Sequence, residues 1–483
     1  MNKVGVTSVG AYIPYYYIDR GTIGKAWGTR GSKGVRSIAN SDEDSVTMAV
    51  EAAADCFRYV GREKISALYF ASTTAPYAEK SHAALISTAC DLSSGIFAAD
   101  FTCSLQSATS AFKAALDAAA SNPDGGQILV TAADCRNAYP KSPAEQMLGD
   151  AGAALTVGSE NVIATVEYFS SVINEINDVW RNDGDAVLST TEQRFAIEEG
   201  YMAGMTKALK DILDKSGMRP SDITKAVLTT PGAGEYLKVA KKLGFAPEQL
   251  QDPLMAQIGD CGTAQPLLLL AAALETAKAG DIILLASYGS GSNAFILKVT
   301  DEVRKIQKVP TVGKYMDRRA EFKDYVRFLS FRGLLDPVHG EPYKIPASPA
   351  ISWREQNTYL RLYAGICNKC KTGAFPTNRI CYRCRSKDDY TESRRTEEIT
   401  RIYSYSCDRL AGRSDDPLVI QVVADDKDNI RYYMNLTDFQ EEEVKIGLEM
   451  EFTFRKIHNL AGFPNYYWKF RPVRKPGVIK DER

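Results

Sequence analysis

Histidine is scarce in this chain: three in 483 residues, His82, His339 and His458, far apart. That spacing excludes a histidine-rich metal centre or a local histidine dyad, and leaves acid–base chemistry few imidazoles to use. A dominant charge is also missing. Lys and Arg number 59 against 60 Asp and Glu, a formal net charge of −1, so no basic face of the kind that drives nucleic-acid affinity is expected. The longest apolar run, Pro266–Ala273, is far short of the roughly 20 residues that cross a bilayer, and no membrane partner is expected. Met1–Arg20 lacks the charged start, apolar core and small-residue cleavage site of a secretory leader, so a cytoplasmic location is expected. In such a reducing compartment the ten cysteines point to thiols, a metal site or catalysis rather than a disulfide framework.

What is present is an ordinary globular composition, 45% hydrophobic and 25% charged, long enough for two to four domains at roughly 100–200 residues each. The first 300 residues alternate strand-like runs (Val4–Val9, Ala67–Ala71, Ile96–Phe101, Gln127–Thr131, Ala153–Val157) with helical patterns at Asp44–Val60, Ser81–Asp91 and Cys103–Ala120. The order then recurs: helix Glu199–Gly217, strand Ala226–Thr230, helices Glu235–Leu243 and Thr263–Lys278, strands Asp281–Ala286 and Ala294–Val299. Ile65–Ala71 is matched by Ile223–Thr229, and Gly126–Val130 by Gly280–Leu284, at an offset of about 155–160 positions. This predicts a layered α/β fold built by duplication, its halves back to back around a shared layer. Beyond residue 300 charge becomes dense, and Pro310, Pro337, Pro342, Pro346 and Pro349 mark turns and a linker. From Ile402 to Val473 five short strands without a long helix predict a small OB-type β-barrel.

Cys367, Cys370, Cys381 and Cys384 form two C-x2-C knuckles ten residues apart. Four thiolates fill the tetrahedral shell of zinc, which predicts a structural ion; a redox dithiol is the alternative for a single knuckle only. Cys103 follows an apolar strand and opens an alanine-rich helix. A helix N-terminus favours thiolate over thiol, so Cys103 is a candidate nucleophile for acyl transfer, the alternative being a buried structural cysteine such as Cys56 or Cys90.

The segments GVTSVGAYIPYYYI, ANSDEDSVTMAVEAAADC, DFTCSLQSATSAFKAAL, GDAGAALTVG, AKKLGF and LLASYGSGSNAF resemble hydroxymethylglutaryl-CoA synthases of the thiolase and 3-ketoacyl synthase III superfamily, over about residues 1–335. WREQNTYLRLYAGICNKC and the second knuckle resemble the zinc-ribbon plus OB-fold domain (domain of unknown function 35) that accompanies thiolase-like proteins. The resemblance implies a duplicated thiolase fold, layered α-β-α-β-α, followed by a rubredoxin-like zinc ribbon and the barrel. The expected boundaries are 1–165 and 166–335 for the halves, 336–358 for the linker, 359–395 for the ribbon and 396–483 for the barrel. It also implies that Cys103 accepts the acyl group of a coenzyme A thioester. Gly289, Ser290 and Gly291, with the backbone N–H of Cys103, would supply an oxyanion hole, although such a turn before a strand also serves plain chain reversal. Lys238, Lys241 and Lys242 match a stretch near the coenzyme A phosphates, although helix lysines are commonly just solvated.

Two positions depart from the family. Thr73 stands where the synthases carry a glutamate acid/base, and Thr229 where they carry a histidine. A threonine hydroxyl has no pKa near 7 and replaces neither. Cys261, assisted by Asp260, lies in the loop where the superfamily places its third active-site group and is the expected proton carrier; His82 is a weaker substitute, more naturally a cap or a dimer-face residue. The resulting expectation is an acyltransferase making or cleaving a carbon–carbon bond, by Claisen condensation or thiolysis, through a Cys103 thioester. The alternatives are a catalytically deficient scaffold or acyl-CoA-binding subunit of a thiolase-type complex, a synthase with altered acid/base groups, and a retro-aldol lyase. Expected partners are acyl-CoA substrates, a second copy of the chain in a homodimer or larger oligomer, and a thiolase-family subunit.

Overall fold

A computed structural model describes residues 4–122, 125–335, 348–410, 418–460 and 463–474. Residues 336–347 of the expected linker, with Pro337, Pro342, Pro346 and His339, lie outside the described residues. The chain forms two compact units: Asn40–Glu43 groups with the residues from Val326 onward, and the rest, up to Tyr325, forms the first unit.

In the first unit the strands used below are β1 (Gly5–Tyr12), β2 (Ile65–Ser72), β3 (Phe97–Thr102), β4 (Gln127–Asp134), β5 (Ala151–Gly158), β6 (Ala164–Ile173), a short hairpin of β7 (Val179–Trp180) and β8 (Ser189–Thr190), β9 (Lys225–Leu228), β10 (Ile282–Tyr288) and β11 (Gly291–Val299); Tyr16–Asp19, Val35–Ile38 and Ala320–Glu321 form a separate three-stranded sheet. The helices used below are α1 (Ser45–Cys56), α2 (His82–Ala89), α3 (Ser107–Ser121), α4 (Ala203–Ser216), α5 (Glu235–Leu243) and α6 (Gln265–Leu274). Nine strands follow one order, β9-β10-β11-β6-β1-β5-β4-β2-β3. Outward from the centre, β1 is followed by antiparallel β5, antiparallel β4, then parallel β2 and β3. In the other direction β6 is followed by antiparallel β11, antiparallel β10 and parallel β9.

The two runs are one pattern used twice, and they open on residues 158–160 positions apart: Gly5 and Ala164, Ser45 and Ala203, Ile65 and Lys225, Ser107 and Gln265. Helix α3 packs on β2, β4 and β5, α6 on β1, β5, β9 and β10, and the two touch each other. Helix α1 covers β1, β4 and β5, and α4 covers β6, β10 and β11. The result is the α-β-α-β-α layering of the thiolase fold. Helix α6, QPLLLLAAAL, is buried almost all round, as a helix in a central layer must be. The halves are continuous through β1 and β6, paired only at Gly5 with Thr165 and Val6 with Ala164.

The second unit holds a three-stranded sheet and a five-stranded one. The small sheet is β12 (Tyr363–Cys367) flanked by β13 (Gly373–Ala374) and β14 (Tyr390–Arg394). The larger comprises β15 (Thr400–Asp408), β16 (Val419–Asp425), β17 (Arg431–Asn435), β18 (Glu449–Leu460) and β19 (Phe463–Pro472), in the order β17-β16-β15-β18-β19. A parallel bridge between Leu436 and Phe470, with Thr437 N–H donating to Phe470 O at 2.8 Å, brings its ends together as in an OB-type barrel. Strand β16 alternates buried Ile420, Val422 and Ala424 with half-buried residues, the period-two signature of a barrel wall. Fully buried Arg455 is neutralised within this unit by Asp42, Glu43 and Asp438.

At Gly5 an added Cβ would lie 2.1 Å from Ala164 O and 2.8 Å from Thr165 Cα. Gly5→Ala is therefore expected to lower stability by about 1–3 kcal/mol, the usual cost of overpacking. Urea unfolding measures it, and an unchanged midpoint would show that this junction opens without cost.

Candidate functional site

Strand β3 ends at Thr102 and α3 begins at Ser107, and Cys103 in the intervening turn has a φ of +72°. A β-carbon in the left-handed region is strained unless its surroundings hold it there. Here they do. Ser107 Oγ donates to Thr102 O (3.1 Å), Gln106 N–H to Ser104 Oγ (3.2 Å) and Ser104 Oγ to Gly289 O (3.3 Å). The turn leaves Cys103 exposed, with Sγ 3.4 Å from Thr102 Oγ1, at the positive end of a 15-residue helix.

The Gly289–Ser290–Gly291 turn is seated on the same loop. A Cβ at Gly289 would meet Gln106 N at 2.7 Å and Leu105 Cβ at 2.8 Å, and one at Gly291 would meet Val172 O at 2.1 Å. Ser290 and Gly291 have φ of +52° and +121°. With its amide oriented nitrogen toward Gly289 O, the assignment that satisfies both groups, Gln106 closes the contact by donating to Gly289 O (3.2 Å) and accepting from Ser292 N–H (2.8 Å).

The other expected groups are engaged in the framework. Asp260 forms an ion pair with buried Arg136 at 2.6 Å and accepts from Gly262 N–H at 2.9 Å. Cys261 is fully buried, its N–H donating to Gln265 Oε1 (2.8 Å) and its Sγ facing Gly259 O (3.6 Å). Burial first, then the carboxylates of Asp260 and Asp150, push its thiol well above the ordinary range, so it is held protonated. Thr73 spends its hydroxyl on Asp134 (3.0 Å), a buried carboxylate that also accepts from Ser72 Oγ, Thr73 N–H, Thr74 Oγ1 and Thr263 N–H. Buried Thr229 accepts the Tyr288 N–H at 3.2 Å. His82 is buried too: Nε2 accepts from Tyr77 N–H (3.1 Å), while Asp100 takes the His82 and Ala83 N–H groups at the start of α2. The cap of α2 is Ser81, whose hydroxyl accepts from Ala84 N–H at 3.1 Å, while the His82 ring is held between Tyr77 N–H and Asp100, its Nδ1 3.4 Å from Oδ2. Lys238, Lys241 and Lys242 are exposed on α5, whose buried face is Val239 and Ala240.

A further pair has no local signal in the sequence. Tyr288, the last residue of β10, donates its phenol to Asp178 Oδ2 at 2.5 Å across 110 positions. Gly200, in a π-helical turn (Ala196–Met202) ahead of α4, makes room for it, since a Cβ there would lie 2.4 Å from the phenol oxygen. Three residues beyond Asp178, exposed Arg181 donates to Thr73 O at 2.7 Å.

In the second unit the four cysteine sulfurs lie within 4.8 Å of one another, with Cys367–Cys384 and Cys370–Cys381 both at 3.6 Å. Four sulfurs about 2.3 Å from a tetrahedral ion stand about 3.8 Å apart, so the cluster has the dimensions of a metal site. The knuckles match: Lys371 and Arg385 are left-handed (φ +60° and +63°) and donate to Cys367 O (2.8 Å) and Cys381 O (3.0 Å). The Cys384 backbone N–H leads the groups that hold the Cys381 thiol down to about 6, ready to bind as thiolate.

Residues 213–299 match the family described as 3-oxoacyl-[acyl-carrier-protein (ACP)] synthase III C terminal. A hydroxymethylglutaryl-CoA synthase of Pyrobaculum arsenaticum is 33% identical over 350 residues, covering 69% of this chain and 99% of the relative. That of Archaeoglobus fulgidus is 34% identical over 344 residues, covering 68% and 98%. The chain belongs to the hydroxymethylglutaryl-CoA synthase family. Among solved structures, an HMG-CoA synthase complexed with CoA superposes with a TM-score of 0.64 at 19% identity, covering 72% of this chain and 95% of the other. The 3-oxoacyl-[acyl-carrier-protein] synthase III of Aquifex aeolicus gives 0.55 at 18%, covering 61% and 99%. Both share the fold. No helix among the described residues is long and apolar enough to cross a membrane.

Exposure separates this synthase-family chain's cysteines sharply. Iodoacetamide at pH 8 is expected to label Cys103 at least tenfold faster than Cys261 and Cys56, whose buried thiols are both pushed up. Peptide mass spectrometry reads the ratio, and equal rates would contradict the burial.

Proposed function

We propose that this protein is an acyl-CoA acyltransferase that makes or cleaves a carbon–carbon bond through a thioester on Cys103. One observation carries the reading: an exposed cysteine held left-handed at the head of a central helix, with the Gly289–Gly291 turn closed onto the same loop. In this proposal the Cys103 sulfur attacks the thioester carbonyl, coenzyme A leaves as thiol, and the acyl group stays on Cys103. Gly289 N–H is used inside the turn, on Gly291 O at 2.9 Å, so the oxyanion donors assigned are the N–H groups of Cys103 and Ser290. Lys238, Lys241 and Lys242 are assigned to the coenzyme A phosphates on their exposure alone. A homodimer joined at β3 is also proposed, because among the described residues β3 ends the sheet with one backbone edge unpaired, and Phe97 is 64% exposed.

The zinc-ribbon plus OB-fold assignment of the second unit rests on the two matched knuckles and the strand order β17-β16-β15-β18-β19. Cys367, Cys370, Cys381 and Cys384 would hold zinc, and with every position filled by sulfur the ion would stabilise the fold and take no substrate. A scaffold or acyl-CoA-binding role is the second reading, favoured by the structural use of Thr73 and Thr229.

Incubation with acetyl-CoA is expected to leave an acetyl adduct on Cys103, lost in Cys103→Ala together with at least 10³-fold of turnover. Absence of an adduct with a range of acyl-CoAs would move the assignment to the scaffold. Elemental analysis is expected to find about one zinc per chain, lost in Cys381→Ser with lowered thermal stability of the full chain; a metal-free native protein would refute the zinc assignment.

A further inference from the structure

Carbon–carbon bond formation next to a thioester needs a group that takes a proton from the α-carbon. The groups the sequence offers are committed elsewhere. His82 Nε2 accepts a backbone N–H, Asp134 is filled by five donors, Asp260 is bound to Arg136, and the Cys261 thiol is buried and protonated. The Tyr288–Asp178 pair is differently placed, on the residue that leads into the Gly289 turn and on the hairpin facing it. Asp178 is only half-buried and takes two donors, Val179 N–H on Oδ1 at 2.7 Å and the Tyr288 phenol on Oδ2 at 2.5 Å. Each carboxylate oxygen keeps a lone pair.

The placement is built. Tyr288 directly precedes Gly289, whose carbonyl accepts from Ser104, the neighbour of Cys103. Its ring meets Tyr201 edge-on at 5.6 Å, and Tyr201 donates to Thr229 O at 2.8 Å. Gly200 and the π-helical turn that carries it leave the space its hydroxyl occupies. On the other side the β7–β8 hairpin that follows Asp178 is tied down by Arg181 on Thr73 O, and Asp178 O accepts from Thr191 N–H at 3.0 Å. The hairpin is thus tied to Thr73 and closed at its base, which holds the Asp178 carboxylate on the Tyr288 phenol, one residue ahead of the turn that is seated on the Cys103 loop.

We propose that Asp178, aligned by the Tyr288 phenol, removes the α-proton of the substrate thioester. The inference rests on the acyltransferase reading of Cys103. The α-carbon C–H bond breaks, its proton passes to a carboxylate oxygen of Asp178, and the electron pair moves into the thioester as an enolate. That enolate forms the new carbon–carbon bond by attack on the second carbonyl, whose π-pair moves onto its oxygen. Tyr288 acts through Asp178 and is a positioning residue.

The experiment uses the full-length protein with acetyl-CoA in D2O. Two quantities are read: acetyl labelling of Cys103, and deuterium incorporation into the acetyl methyl group. Asp178→Asn preserves the shape and an acceptor for Tyr288, so labelling is expected within about threefold of wild type while exchange falls at least 100-fold. Asp178→Ala is expected to recover exchange when formate is added, and Tyr288→Phe to lose exchange but not labelling. Wild-type exchange in Asp178→Asn, or equal loss of labelling and exchange in Asp178→Asn and Asp178→Ala without recovery by formate, would overturn the assignment. Failure of the underlying reading is seen separately, in wild-type protein that takes no acetyl label at all.

Discussion

The close approach of Gly289 to the Gln106 N–H is the contact on which the site depends. It joins a hairpin of the second half to the helix-opening loop of the first, at a separation that excludes even a methyl group. With no side chain between them, Ser104 and the Gln106 amide both reach Gly289 O, and Cys103 is carried into a left-handed turn it would not adopt alone. Strand β10 ends on Tyr288, directly before this contact. The strain at Cys103 is therefore maintained by backbone contacts from another part of the sheet, 185 positions away.

Duplication supplies the scaffold, and departures from its symmetry supply the site. Cys103 and Cys261 are separated by 158 positions and stand at the heads of the paired helices α3 and α6. Their surroundings diverge completely. The first half carries β3, a fifth strand that brings the chain to the edge of the sheet just before Cys103; the second half ends its run at β9 and has no counterpart. Cys261 is consequently enclosed among Asp134, Asp150, Asp260 and Arg136, where a thiolate would face three carboxylates. The same position in the same supersecondary unit is exposed in one copy and inert in the other.

Local pattern made much of this legible. Helix Glu235–Leu243 matches its expected bounds, the five barrel strands fall where alternating residues placed them, and the four cysteines converge as their spacing implied. The duplication was visible because paired elements keep an almost constant offset. Strand β6 and the β7–β8 hairpin leave no such mark in the sequence: β6 is largely half-buried, and the hairpin's strands are two residues long, so neither has a clear burial period. The Asp178–Tyr288 pair was out of reach for a different reason. Each residue is unremarkable in its own segment, and only the packing of β10 against the π-helical turn joins them.

Thr73 and Thr229 show how a position can lose proton chemistry without losing its place in the fold. Each hydroxyl is drawn into the framework, Thr73 as a donor to Asp134 and Thr229 as an acceptor of the Tyr288 N–H. A carboxylate at 73 would stand against Asp134, already neighboured by Asp260 through Arg136, and like charges at that spacing cannot all stay ionised at low cost. Threonine avoids that repulsion by giving Asp134 a donor in place of a second negative charge. The network around Asp134 is thereby balanced by hydroxyls and Arg136, and a group that must change protonation state is better placed where it is half-buried, as Asp178 is, than in that closed network.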